Sequence, residues 1–541
     1  MKATYTALAA AAALAFAGAA EAKTPSLWVQ CDGYPKPESR GTKIVKGLAA
    51  VSTLGIFGVP ETFNPDGRAA GEAGVAACTA ALADPAAASA PWIRRVTLNQ
   101  GLAVHQLEAK RPEAALAALD AAVAAAGANA ADPYYARSTG VSLDLLRALA
   151  LFGLGRDQEG AASALRAAEA RPWSARAQIL ALTMLAADRA VTPAQLAVVE
   201  RLVRIDPSSG EMPGSLYLRA GRYPEAWAWL KKSYDRRRAD PGGGMVDRAL
   251  RLAVIDPRPA DYLIAFAAAR AGDKAGSDAV LAELQSSAKA TIDRLAAAKV
   301  PTPPDRLAQV EAMLFRPRDQ WQPMIDAANL LAAGDAAAAQ ERLVSATEWP
   351  APPLLIGLVR DLRSKLPPAA RKGLVAIDPD LTEGKVAPSP EARLARLANA
   401  AVFESLPEPE DENRLNGFSR QFGLGLKSTG FKSKTLDTGL TRIEFVGSVS
   451  SPLAVEEMTL LRAAQLARES GRKGFVIEKR SDYTRYSQMT MNGTPVGPQR
   501  LAGYMTRIEV RFTDEPDPAA IPAAALIDTL APIYIRPKPA A

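Results

Sequence analysis

The 541-residue chain offers few side chains at spacings that support catalysis or metal binding. His105 is its single histidine, so neither a Ser-His-Asp triad nor a histidine-based metal site can be assembled. Gly384-Lys385 lacks the upstream glycine of a P-loop and is followed by Val386. Ser286 and Lys289 have the spacing of a serine acyltransferase pair, but no partner motif accompanies them. We therefore expect no catalytic residue, metal or cofactor, and predict that the protein is not an enzyme.

The two cysteines, Cys31 and Cys78, are the exception to this lack of chemistry. In an oxidising compartment, two cysteines permit a single intramolecular pairing, so we predict a disulfide bond. Such a bond closes a loop of about 48 residues and contributes about 3–4 kcal/mol on the chain-entropy model. The alternative is a pair of unbonded, buried thiols.

The first 22 residues have the pattern of a secretory signal peptide. Lys2 gives a positive start, residues 8–16 are apolar, and Ala20-Glu21-Ala22 is a small-x-small cleavage site. We predict cleavage after Ala22 and a periplasmic or secreted protein, with an uncleaved anchor as the alternative. No later apolar run reaches about 18 residues, so we expect no membrane span. Cys31 does not follow a lipobox, which argues against lipid attachment.

Two clusters of aromatic residues have binding potential. In the first, Tyr223 and Trp227 share one helix face, whereas Trp229 points elsewhere and is a candidate anchor for a partner. The alternative for this cluster is core packing. In the second, Tyr483, Arg485 and Tyr486 alternate in a basic segment that could bind anionic glycans or lipid headgroups. The alternative there is a solvated face of a sheet.

Residues 91–350 must form the elements that position the first cluster. Apolar residues recur there at helical spacing on both sides of short turns, around Lys110-Arg111-Pro112, Gly155-Arg156, residues 189–191, Gly221-Arg222, Gly272-Asp273 and Gly334-Asp335. Pro172, Pro207 and Pro241 follow three successive helical pairs at spacings of 35 and 34 residues. This period and this helix–turn–helix plan resemble the tetratricopeptide repeat (TPR).

The resemblance extends to individual positions. In the pair around Gly221, the small residue of the first helix falls on Gly214 and the aromatic on Tyr217, while the second helix places Tyr223 and Ala226. In the pair around Gly155, the corresponding residues are Ala148, Leu151, Gly155 and Gly160, and Gly160 departs from the expected alanine. The resemblance implies a solenoid of five or six helical pairs that binds a protein or peptide.

Beyond residue 413 the hydrophobic period changes from 3.6 to 2. Ile443, Phe445, Gly447 and Val449 alternate with polar neighbours, a helix follows over residues 453–470, and Phe475 and Ile477 mark a second strand. Asn492-Gly493 is expected to turn a hairpin between residues 483–491 and 503–512. The segment IEFVGSVSSPLAVEEMTLLRAAQLARESGRKGFVI resembles a domain of bacterial exported lipoproteins of unknown function.

The predicted fold is mostly α, a TPR-like helical-hairpin solenoid followed by a small α+β domain. The predicted divisions are a signal peptide (1–22), a cap with the disulfide (23–90), helical repeats (91–350), transitional helices with an acidic, Pro-rich linker (351–413), an α+β domain (414–536) and a tail (537–541).

Positive charge is concentrated at the C-terminal end of the chain. Residues 414–541 contain 18 Lys and Arg against 12 Asp and Glu, so they carry most of the net charge of +7. Outside the cytoplasm such a balance suits anionic envelope surfaces better than nucleic acid. Our first hypothesis is an exported scaffold or adaptor that binds a protein or peptide partner through the repeat groove. The alternative is a binder of anionic envelope components through the α+β domain.

Overall fold

The computed structural model describes residues 25–37, 65–185, 191–239, 261–297, 303–346, 352–371, 374, 389–411, 415–421, 429–491, 494–515, 517 and 519–535. The predicted signal peptide, residues 38–64 of the predicted cap, Pro241 and the tail lie outside these ranges. The described chain is mostly helical and has one five-stranded antiparallel sheet near its C-terminus. This confirms the coarse prediction of helices followed by a small α+β region.

Twenty-one α-helices and five strands are defined in these ranges. They are α1 Leu27–Asp32, α2 Gly71–Ala83, α3 Pro85–Ser89, α4 Trp92–Glu108, α5 Pro112–Ala126, α6 Pro133–Arg137, α7 Thr139–Gly153, α8 Asp157–Ala170, α9 Ala175–Leu185, α10 Pro193–Ile205, α11 Glu211–Arg219, α12 Tyr223–Ala239, α13 Tyr262–Arg270, α14 Lys274–Ala296, α15 Pro304–Ala332, α16 Ala336–Val344, α17 Pro352–Lys365, α18 Pro390–Leu397, α19 Ala400–Glu404, β1 Gly430–Thr435, β2 Thr441–Gly447, α20 Pro452–Glu469, β3 Gly474–Met491, β4 Thr494–Thr513, β5 Ile521–Pro522 and α21 Ala523–Tyr534.

The chain divides into two compact units. The first comprises residues 1–132, 149–156 and 394–404, and the second comprises residues 133–148, 157–393 and 405–541. The last part of α7 therefore belongs to the first unit, and the rest of that helix belongs to the second.

The first unit is built around the predicted disulfide bond. Cys31 of α1 and Cys78 of α2 are bonded, with 4.5 Å between their Cα atoms, and both are fully buried beside Leu98 of α4. His105 is also fully buried: its Nε2 donates to the Cys31 carbonyl at 2.7 Å, and its Nδ1 lies 2.8 Å from the Glu108 carboxylate. A side chain at Gly74 would overlap the imidazole ring. The disulfide is confirmed, and the histidine has a packing position.

One three-residue turn recurs between the helices of five pairs. Its middle residue has a left-handed backbone, with φ of 60° at Lys110 and between 71° and 89° at Gly155, Gly221, Gly272 and Gly334. In each pair the next amide donates to a carbonyl of the preceding helix, as Arg222 does to Tyr217 at 2.9 Å. Since glycine adopts this backbone without steric cost, its position in the sequence located the turns correctly. The turn predicted at residues 189–191 lies mostly outside the described ranges.

Successive pairs pack against each other along the second unit, with contacts from α8 to α9, α10 to α11, α12 to α13 and α13 to α15. Gly214 of α11 faces Leu230 of α12, and any side chain there would overlap the leucine. Leu230 is 1% exposed, so the helices meet at a small residue, as the pattern predicted.

The sheet has the strand order β1-β2-β4-β3-β5, and every neighbouring pair is antiparallel. Ile508 and Val510 of β4 are fully buried, in agreement with the predicted alternation. Helix α20 packs on β2, β3 and β4, and α21 packs on α20. Twelve of the eighteen residues of α20 are buried, which makes this helix the centre of the region.

Two details of the predicted strands are wrong. Strand β2 ends at Gly447, and Val449 is 56% exposed, because a bend over residues 448–450 intervenes. The predicted turn residues Asn492-Gly493 lie outside the described ranges, and the Met491↔Thr494 pair on either side of them agrees with a hairpin at that point. The predicted partners are wrong in part, because residues 483–491 pair with residues 494–505, of which only 503–505 lie in the predicted partner strand. Phe475, Ile477 and residues 483–491 belong to one long strand, and β4 pairs with it from Met491↔Thr494 to Gly474↔Thr513.

One segment passes a test of length and composition for crossing a membrane, contrary to the expectation of no such run. It is Pro112–Ala131, which comprises α5 and the 3-10 turn after it. The segment contains Glu113 and Asp120, and α5 packs against α4 through buried residues that include Ala115, Leu119 and Ala122. A core helix passes the same test, so the finding is weak evidence for a span.

Candidate functional site

The aromatic cluster of α12 is divided between two sides of the helix. Tyr223 donates to Asp361 at 2.8 Å, and the Trp227 indole donates to Asp273 at 3.1 Å, so both face neighbouring helices. Trp229 lies on another side, as predicted, and is half-buried. It lines a cavity of about 20 Å³ together with Pro207 and Ile477. Because that volume holds about one water molecule, the site does not have the size of a ligand pocket.

A cluster of buried charge surrounds Glu457 of α20. Its Oε1 accepts from Arg137 Nη2 at 2.6 Å, and its Oε2 accepts from Arg171 Nη2 at 3.1 Å and from the Tyr534 hydroxyl at 2.5 Å. Arg171 also donates to Glu410 at 3.1 Å and to the Arg137 carbonyl at 2.9 Å. We call these five residues the Glu457 cluster. Glu457 and Arg171 are fully buried.

A second cluster surrounds the neighbouring Glu456. Its Oε2 accepts from the Ser174 hydroxyl at 3.0 Å, and its Oε1 lies 2.9 Å from Arg176 Nε and 3.3 Å from Arg480 Nη2. Arg480 also donates to Asp482 at 2.9 Å and to the Ile205 carbonyl at 3.0 Å. We call Glu456, Ser174, Arg176, Arg480 and Asp482 the Glu456 cluster. It fixes β3 and α20 to the ends of α9 and α10.

The pKa of the central glutamate is shifted in opposite directions in the two clusters. Burial alone would raise the pKa of Glu457, but Arg137, Arg171 and the Tyr534 hydroxyl overcome that effect and lower it below its usual value. Burial raises the pKa of Glu456; Arg480 and Arg176 oppose the shift, whereas Asp482 adds to it. The pKa of Tyr534 is raised well above its usual value by burial and by Glu457.

These clusters have the properties of a joint rather than of a catalytic centre. Each contains two arginines and two carboxylates, so its charges balance, and the central glutamates are at most 1% exposed. A substrate has no access to them, and a buried pair that loses one partner is strongly destabilised. The clusters therefore connect the helical pairs to the sheet region within the second unit.

The second predicted surface lies beyond this joint. Tyr483 and Tyr486 are 40% and 55% exposed on β3, and Leu501 opposite Tyr486 is 55% exposed. Arg485 lies between the two tyrosines, and Arg507 lies over the Tyr483 ring at 5.4 Å. The structure thus brings Tyr483, Arg485 and Tyr486 together on one ribbon of two strands, and Trp229 is not part of that surface.

Sequence reasoning missed the buried clusters. Their one local signal is the pair Glu456-Glu457 between Val455 and Met458, because two acids inside an apolar helical run must find partners. Arg137 and Arg171 carry no comparable signal, since they lie 320 and 286 residues away from Glu457 in the sequence. Among the residues with described positions, no group of three or more His, Cys, Asp or Glu could hold a metal ion.

Comparison with known proteins returned no match: no family model, curated protein or solved structure is similar to this chain.

Proposed function

We propose that this protein is an exported, non-enzymatic scaffold in which TPR-like helical pairs hold a basic α+β domain against anionic components of the cell envelope. The observation that carries the proposal is the joint formed by the Glu457 and Glu456 clusters. A joint of two balanced ionic networks holds the sheet in one position. The excess positive charge of residues 414–541 then remains available for a partner.

The TPR-like part of the proposal is supported by the recurring turn and by the small residues between paired helices. Five pairs place a left-handed residue at the same point. Gly155 and Gly221 are 66 residues apart, about twice the period of a 33–34 residue repeat.

The hypothesis of a peptide groove along the helical pairs is less well supported, because the chain covers its own first helices. Seven of the nine residues of α13 are buried, and Arg270 at its end forms an ion pair with Asp361 of α17. Eight of the eleven residues of α9 are buried, and Arg176 at its start contacts Glu456. Helix α17 also contacts the first helices α11 and α15, and α20 contacts α9, so a peptide along these helices would have to displace α17 or α20.

The proposal is tested by cosedimentation of the purified full chain with bacterial envelope fragments. We expect binding that weakens as salt shortens the Debye length from about 10 Å near 0.1 M to about 3 Å near 1 M. A matched pair of proteins, the wild type and a variant with glutamine at Lys434 and Arg485, measures the role of the basic domain. Equal binding by the two, or binding that does not respond to salt, would contradict the proposal.

A further inference from the structure

The β3–β4 ribbon extends beyond the rest of the sheet. Strand β2 pairs with β4 only over Tyr504–Val510, and β5 pairs with β3 only at Gly474 and Phe475. Tyr483 and Thr484 lie opposite Met505 and Tyr504, the last residues of β4 that pair with β2, and from Arg485↔Gly503 to Met491↔Thr494 the ribbon has two described strands. We call residues 483–491 and 494–503 the distal ribbon. Nine residues in a strand measure roughly 25–30 Å.

Gly503 marks the point at which β4 leaves β2. Its φ is +120°, and a Cβ on it would overlap the Gly447 carbonyl oxygen and approach Ser448 Cα to 2.8 Å. Only glycine combines this backbone with so close an approach. The glycine at position 503 therefore determines where β4 separates from β2.

Apolar and aromatic exposure is concentrated on this ribbon. Nine large hydrophobic side chains are exposed in the described ranges, and Tyr483, Tyr486 and Leu501 are three of them. Val449, a fourth, follows the residue that Gly503 approaches. Tyrosine is typical of the headgroup layer of membranes, since its ring is apolar and its hydroxyl is polar.

The charge of the ribbon has one sign. No Asp or Glu occurs in the 26 residues from Tyr483 to Ile508, which contain Arg485, Arg500 and Arg507. These three arginines are the charged residues of the segment, and Arg507 among them pairs with Glu444 at 2.6 Å. A protein surface mixes both signs of charge, whereas an anionic lipid leaflet presents one sign and attracts each basic residue near it.

We propose that the distal ribbon docks on the surface of an anionic phospholipid bilayer, with Tyr483, Tyr486 and Leu501 in the headgroup layer and Arg485 beside the lipid phosphates. A two-stranded ribbon leaves backbone groups along its outer edges without strand partners. It can therefore lie in the hydrated interface and cannot cross the hydrocarbon layer. This inference rests on the proposed function, because it names one anionic component of the envelope.

The experiment is flotation of the full chain with vesicles of phosphatidylglycerol and phosphatidylethanolamine, compared with vesicles of phosphatidylcholine. We expect binding to the anionic vesicles only. Arg485→Gln should weaken it about fivefold, the effect of one basic residue near a charged leaflet. Tyr486→Ser/Leu501→Ser should weaken it further. Lys289→Gln, a charge loss at a 74% exposed side chain of α14, is the matched control and should bind as the wild type does.

Two substitutions of opposite charge at one exposed position distinguish a loss of lipid binding from a loss of folding. Thr484→Glu should weaken vesicle binding and Thr484→Lys should strengthen it, while both melt at the wild-type temperature. Equal effects of the two, or a wild type that binds both kinds of vesicle equally, would overturn the inference. Binding to envelope fragments without binding to anionic vesicles would overturn this inference and leave the proposed function intact. Binding to neither would overturn both.

Discussion

At the scale of single residues, Glu456 and Glu457 have opposite electrostatic situations although they are neighbours in α20. Glu457 is surrounded by buried arginines that have one other carboxylate between them, Glu410, and Arg171 is fully buried. Arg176, which contacts Glu456, is 43% exposed and can be solvated, and Arg480 keeps Asp482 as a second partner. The two glutamates are therefore buried to the same extent, but the arginines around Glu457 depend on it for a counter-charge more than the arginines around Glu456 do.

This difference predicts unequal effects of two matched substitutions. Glu457→Gln leaves the buried Arg137 and Arg171 with Glu410 alone, and should lower the free energy of unfolding by about 3–5 kcal/mol, as expected for a broken buried pair. Glu456→Gln should cost much less, because its partners are solvated or paired elsewhere. Urea denaturation followed by circular dichroism measures both. Equal losses would show that the two clusters do not differ in this way.

At the scale of elements, the helical pairs depend on the left-handed residue of their turn. Four of the five described turns of this kind have glycine there, and the first has Lys110. A residue with a Cβ pays about 1–2 kcal/mol for a left-handed backbone.

The geometry of the turn therefore predicts opposite effects on stability for substitutions at two equivalent positions, Gly221 and Lys110. Gly221→Ala should lower the free energy of unfolding by about 1–2 kcal/mol, because alanine is strained in a left-handed backbone. Steric overlap does not add to this loss, since a Cβ at Gly221 would meet no atom closer than 4.0 Å. Lys110→Gly should raise the free energy of unfolding by up to about 1 kcal/mol. Glycine relieves the backbone strain of the folded chain, but it also adds conformational freedom to the unfolded chain, and the two effects oppose each other. Thermal melts of the two variants and the wild type provide the measurement; a loss of stability in Lys110→Gly would refute the equivalence of the turns.

The disulfide bond acts on the elements of the first unit. It joins α1 to α2 across a separation of 47 residues, and the two sulfur atoms lie in the core beside Trp28 and Leu98. Cys31→Ser/Cys78→Ser should lower the stability of this unit by about 3–4 kcal/mol, because the unfolded chain regains the freedom of the loop. Proteolysis at residues 25–37 should become faster. Thiol titration of the denatured wild type without reductant should detect no free thiol, and two free thiols would disprove the bond in solution.

At the scale of the whole molecule, the joint makes the second unit depend on pH. The pKa of Glu457 in the folded chain lies below its usual value of 4.5, so its contribution is complete above that value and is lost as the pH falls through the folded pKa. The pKa of Glu456 is raised, so its ionised form costs stability, and that cost disappears as the pH falls through its folded pKa toward 4.5.

We therefore expect the urea midpoint to rise slightly from neutral pH toward 4.5 and to fall below it. Glu456→Gln should remove the rise, and Glu457→Gln should flatten the part of the fall that this carboxylate causes. Asp482 also faces Arg480, and its pKa is lowered because Arg480 and Thr506 outweigh its burial, so it contributes to the fall in both variants. A midpoint that falls steadily from neutral pH would contradict the role given to Glu456.

The sequence by itself determined the features that depend on neighbours in the chain. Helical period, the glycines of the turns, the alternation in β4 and the number of cysteines are local or combinatorial properties, and each led to a feature that the structure contains. The exposed ribbon could be anticipated as a basic and aromatic strand, although its pairing with the strand of Phe475 could not.

Only the tertiary structure decided which charges meet. Glu457 finds its arginines 286 and 320 residues earlier in the chain, and no spacing rule connects residues so far apart. The burial of the first helices by α17 and α20 is also a tertiary property, because an apolar face looks the same in a sequence whether a partner or the chain itself covers it. Because of these contacts, we propose the ribbon rather than the helical pairs as the binding surface.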